Sequence, residues 1–129
     1  MSNMPADSTL AVRCAETAPA LLLRGIAEFN SGRFYECHET LEALWRAELG
    51  PVRSLYQGVL QVGVGCYHAQ RGNRTGAVAQ LLKGIARLEQ LPAVCQSVQV
   101  GTLRIEAAAY LRAVTDGSMD ATPPVVEVA

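Results

Sequence analysis

A chain of 129 residues, half of them hydrophobic and 18% charged, suits one globular domain with its own core and excludes a disordered polymer. Eleven basic residues balance twelve acidic ones for a formal charge of −1, and the arginines are dispersed, so nucleic acid is not an expected partner. No apolar run approaches the ~20 residues that span a bilayer, and Met1 to Asp7 lacks the basic-then-apolar order of a secretory leader. No membrane partner is expected, and a reducing cytoplasm is the expected address.

Residues 1–16 are small and polar without a clear period and are expected to be a loose arm. Thr17 is placed to cap a first helix, with Pro19 in its first turn, where the missing N–H costs nothing. Leu22, Gly25, Ile26 and Phe29 then repeat at helical spacing as far as Asn30, and Gly32 marks the stop. From Phe34 to Leu49 neither glycine nor proline interrupts, which predicts a second helix bounded by Gly50-Pro51. A third runs from Val52 to Arg71 with Leu55, Val59, Val62 and Cys66 on its apolar side. Its Gly58, Gly63 and Gly65 each cost about 1 kcal/mol against alanine, so they predict close approach of neighbouring helices. Gly72-Asn73 ends it and caps a fourth, whose Ala77, Leu81, Gly84, Ile85 and Leu88 share a face up to Leu91 and Pro92. Residues 92–101 read as a loose link in which Val94 and Val98 can dock. Thr102 is expected to cap a fifth helix with Leu103, Ala107, Tyr110 and Val114 inward, and residues 117–129 read as a frayed tail. The expectation is all-α: an antiparallel bundle of about five helices over residues 17–116, the third helix central. Cys14, Cys37, Cys66 and Cys95 lack any C-x-x-C pair, and their wide spacing argues against a disulfide framework or a cysteine zinc site.

The chain is organised around Phe29-Asn30-Ser31-Gly32-Arg33-Phe34-Tyr35-Glu36-Cys37-His38-Glu39-Thr40-Leu41-Glu42-Ala43-Leu44-Trp45. Three carboxylates, one of two histidines and the single tryptophan fall within ten residues there. The pattern Phe29-Asn30-x-Gly32-x-Phe34-Tyr35-Glu36-x-His38-Glu39-x-Leu41-Glu42-x-x-Trp45 resembles the signature of the domain of unknown function 309, a family of small helical proteins. Tyr56-Gln57-Gly58, Tyr67-His68, Gly72-Asn73 and Gly76-Ala77 extend the resemblance, which covers roughly residues 20 to 115. It implies an all-helical fold and no established activity.

At about 100° per residue, Tyr35, His38, Glu39, Glu42 and Arg46 share a stripe of the second helix. Gln57, Gln61 and His68 form a polar line on the third. Facing each other, these stripes make a candidate binding site of Tyr35, His38, Glu39, Glu42, Trp45, Gln57, Gln61 and His68. Three readings follow. The cluster is a structural hydrogen-bonded network or a small-molecule pocket; or His38, Glu42 and His68 ligate a single divalent metal, as nitrogen and oxygen donors can, making a metal-binding protein or metal-dependent enzyme; or the chain is a helical interaction module, for which Ala107-Ala108-Ala109 offers a homodimer surface. The first is favoured, and a metal cofactor is not expected. The spacing of Glu36 and His38 fails the Glu-x-x-His rule of di-iron bundles, and neither H-E-x-x-H, a Gly-rich phosphate loop nor a Ser-His-Asp order occurs. No catalytic residue is assigned.

Overall fold

In the computed structural model, which describes residues 6–129, helices run over α1 (Ala6–Cys14), α2 (Ala20–Asn30), α3 (Phe34–Ala47), α4 (Arg53–Gln70), α5 (Arg74–Leu88) and α6 (Val100–Thr115). A hairpin of β1 (Val94–Cys95) and β2 (Val98–Gln99) joins α5 to α6, paired antiparallel with Val94 opposite Gln99 and Cys95 opposite Val98. The chain is mostly helical, with this one small sheet among the described residues.

Each of α2 to α5 packs on the helix that follows it, and α4 packs on both α3 and α5. The helical stripes read from sequence are the buried ones: Leu22, Ile26 and Phe29 on α2, Leu55, Val59, Val62 and Cys66 on α4, and Leu81 and Leu88 on α5. The α4–α5 seam explains the cost of glycine in a helix interior. A Cβ on Gly84 would sit 2.8 Å from Val62 Cγ2, 2.9 Å from the Val62 nitrogen and 3.0 Å from the Gly58 carbonyl oxygen. A Cβ on Gly65 would lie 2.7 Å from Leu81 Cγ. The helices touch through their backbones there, as only glycine permits.

Several boundaries differ from expectation. Residues 6–14 of the supposedly loose arm are the helix α1, while residues 1–5 lie outside the described residues. The N-cap of α2 is Pro19 rather than Thr17, and α6 begins at Val100 rather than beyond Thr102, because residues 94–99 form the β-hairpin and feed directly into the helix. Cys14 and Cys95, expected to be free, form a disulfide across 81 positions, since the hairpin folds back beside the end of α1. Linear spacing carries no information about such an encounter.

The tail expected to fray is pinned. Asn30 donates from Nδ2 to the Val126 carbonyl and accepts from the Val126 amide at Oδ1, both at 2.9 Å. The Gln99 amide donates to the Glu127 carbonyl and the Ala129 amide to the Ser97 carbonyl, so the tail runs beside the hairpin and Val126 is buried. Prolines 123 and 124 hold the approach extended. The tail's lack of helical period is that of a docked extended segment.

Candidate functional site

Both walls of the site are set by glycine turns. Gly32 at φ 77° lets the Arg33 amide reach back to the Glu28 carbonyl at 2.9 Å, which closes α2 and starts α3 at Phe34. Phe34 then packs edge-to-face on Phe29, ring centroids 5.2 Å apart. Gly72 at φ 74° does the same after α4: the Asn73 amide donates to the His68 carbonyl at 2.8 Å, and the Asn73 side chain caps α5 by accepting from the Gly76 amide at 2.9 Å.

Between α3 and α4 this leaves a cleft of about 170 Å³ lined by Phe34, Tyr35, His38, Val64, Tyr67 and His68. Tyr35 and Tyr67 face each other with centroids 6.2 Å apart, and Tyr35, 55% exposed, stands on the rim. Arg71 lays its guanidinium over Tyr67, 5.4 Å from the centroid. The lining is almost entirely carbon, so little imidazole nitrogen is offered to the cleft.

One ring nitrogen of each histidine faces a neighbour on its own helix or in the turn that follows it. His38 Nε2 lies 3.7 Å from Glu42 Oε2, and Arg46 Nη2 lies 3.7 Å from the same oxygen. Asn73 Nδ2 lies 3.4 Å from His68 Nδ1. Because Asn73 Oδ1 is engaged by the Gly76 amide, the Asn73 group that faces His68 Nδ1 is its NH2.

Of the eight residues expected to form one site, the structure brings Tyr35, His38 and His68 to the cleft and leaves the rest outside its lining. Glu39, one residue on from His38, is rotated to solvent. Glu42 is shared by His38 and Arg46. Trp45 is partly buried against the core beneath the Arg53 guanidinium, 4.7 Å from its centroid, and its Nε1 is buried without a partner. Gln57 is half-buried, and Gln61 Oε1 is buried with no hydrogen bond, so the glutamines do not complete a network with the histidines. Nor do His38, Glu42 and His68 form a ligand set. Among the described residues no three His, Cys, Asp or Glu side chains come together as a metal requires. Helix rotation is the reason: the face of α3 that brings His38 toward His68 turns its carboxylates outward.

Phe34, Val64 and Tyr67 were missing from the expected site. Their signal was present as the i, i+3, i+4 run of Val64, Tyr67 and His68, which reads equally well as plain core. Two other thiols and a carboxylate lie near but take no part. Burial pushes the Cys37 thiol up to about 12, helped by the Glu28 carboxylate, and burial does the same for Cys66. Glu28 itself is buried with Oε1 unpartnered and Oε2 3.5 Å from Arg24 Nε.

Residues 22–80 match the model of the domain of unknown function DUF309. Over 73 residues the chain is 33% identical to the uncharacterised protein YpuF of Bacillus subtilis (strain 168), which covers 55% of this chain and 42% of that protein. The chain therefore matches less than half of this relative's length. The matched segment contains most of α2, all of α3 and α4 and the start of α5, and with them both walls of the cleft.

Proposed function

Because residues 22–80 match the DUF309 model, whose description assigns no activity, we propose from the geometry that the protein is a binding module. In this reading the cleft between α3 and α4 receives a single apolar or aromatic ring. The surrounding architecture is read as one antiparallel bundle with α4 at its centre, whose rigidity holds the cleft open. The observation that carries the proposal is the cleft itself: about 170 Å³, walled by Phe34, Tyr35, Val64 and Tyr67 and the imidazoles of His38 and His68. An apolar cavity of about 150 Å³ stays dry and accepts benzene, so this volume suits one six-membered ring. The Tyr35 and Tyr67 rings supply edge-to-face partners for such a guest.

Fluorobenzene is the direct probe, read by its fluorine resonance. A saturable shift and broadening with wild-type protein, lost in Val64→Phe, is the expected result. A resonance unmoved at millimolar protein, or moved equally by the variant, would reject the proposal.

A further inference from the structure

Away from the cleft, one junction gathers sulfur, charge and a buried polar network: the end of α1, the loop after α3, and the hairpin. Arg13 donates from Nη1 and Nη2 to the Glu48 carboxylate oxygens at 2.9 and 2.7 Å. The Gln96 amide donates to the Cys14 carbonyl at 2.7 Å. The Gln96 side chain, fully buried, accepts from the Tyr56 hydroxyl at 2.7 Å and donates to the Arg13 carbonyl at 3.3 Å. Gln96 and Ser97 form the hairpin turn at φ 47° and 69°, conformations ordinarily left to Gly or Asn. The turn is held there with Gln96 aimed inward, and the Cys14–Cys95 disulfide lies beside it.

Among the described residues, little else secures α1. It has nine residues, fewer than the ~12–15 at which an isolated helix becomes even marginal in water. Leu10 is partly buried, whereas Ala11, Val12 and Ala15 are exposed, and among the described residues α1 packs on β1. The ion pair of Arg13 with Glu48 is part-exposed and contributes modestly.

We propose that Cys14–Cys95 is a thiol–disulfide exchange site, at which a small or protein dithiol releases α1 from the hairpin. Cys95 is fully buried and Cys14 is 8% exposed, so the reductant thiolate attacks Cys14 Sγ. The new sulfur–sulfur bond forms as the old one breaks, and Cys95 leaves as a thiolate that takes a proton. The second thiol of the reductant then attacks its own sulfur in the mixed disulfide and frees Cys14. Two electrons and two protons pass to the protein, and the dithiol becomes a disulfide. Cys37 and Cys66 do not compete, since both are buried among apolar side chains. In a reducing compartment such as the cytoplasm the arm is released; under oxidising conditions it is clasped. Release also removes what steadies Gln96 against Tyr56.

Wild-type protein purified without reductant tests this, by alkylation of the native state and amide hydrogen exchange with and without dithiothreitol. Cys14 and Cys95 should alkylate only after reduction, and Cys37 and Cys66 only after denaturation. Reduction should speed exchange by roughly tenfold or more over residues 9–16 and 94–99 and leave residues 55–66 unchanged. A Cys14→Ser/Cys95→Ser double variant should exchange at the reduced rate whether or not dithiothreitol is present. Alkylation of Cys14 and Cys95 without reductant, identical exchange in both states, or loss of protection across residues 55–66 as well would each overturn the proposal.

Discussion

The two sides of α4 meet their neighbours differently. Toward α5, Gly58 and Gly65 answer Leu88 and Leu81, and Gly84 answers Val62, so backbone comes against backbone and no space remains. Toward α3, the same helix offers Val64, Tyr67 and His68 to Phe34, Tyr35 and His38, and about 170 Å³ stays open. Both seams are built from apolar residues at helical spacing. What decides between sealing and opening is side-chain size at the crossing: glycine admits the partner's core residues, whereas rings on both helices prop each other apart.

The largest effect is expected in the closed seam. Gly84→Ala places a methyl group against two backbone atoms of α4, which cannot step aside. Although alanine favours the helix by about 1 kcal/mol, overpacking should dominate and cost about 2–3 kcal/mol net, measured by urea denaturation. A variant as stable as wild type would show that the seam tolerates separation. Tyr56→Phe comes next: it leaves Gln96 Oε1 buried without its donor, at a cost of about 1–2 kcal/mol. In the open seam Val64→Phe should move stability by less than about 1 kcal/mol, because the new ring enters existing space. A large loss there would mean that the cleft has no room for a ring.

Acid sharpens a second contrast, between the apolar seams and the polar junction at α1. The hydrogen bonds from Arg13, aided by the Gly50 amide, hold the Glu48 carboxyl below its usual range despite the opposing effect of burial. A carboxyl depressed in the folded state contributes stability that is complete above its unfolded pKa of about 4.3. That contribution is lost as pH falls through the lower folded value. Exchange protection of residues 9–16 should therefore decline first in acid, while residues 55–66 hold. Glu48→Gln should remove the difference.

How far these features are readable in the sequence depends on the kind of order involved. Period made the helical faces legible: Leu22, Ile26 and Phe29, or Leu55, Val59 and Val62, announce a buried stripe because neighbours in space are three or four residues apart. The glycines of the third predicted helix announced a close crossing for the same reason. The site was legible only in part. His38 and His68 were drawn to one cleft, but Glu39, Glu42 and the glutamines were grouped with them because a stripe tells which residues are adjacent on one helix, and not how far that helix is rotated against the next. Least legible was everything made at long range without period: the disulfide of Cys14 with Cys95, the Gln96 turn, and the extended tail beside the hairpin.

The tail clasp bears on the order in which the chain folds. The helices from α2 to α5 find their partners next along the chain, a topology of low contact order that assembles quickly. Asn30 and Val126, in contrast, are 96 residues apart, and their mutual hydrogen bonds form only after the intervening loop has closed. The helical body therefore nucleates first and the tail zips on afterwards, so Asn30→Ala should accelerate unfolding while leaving the folding rate nearly unchanged.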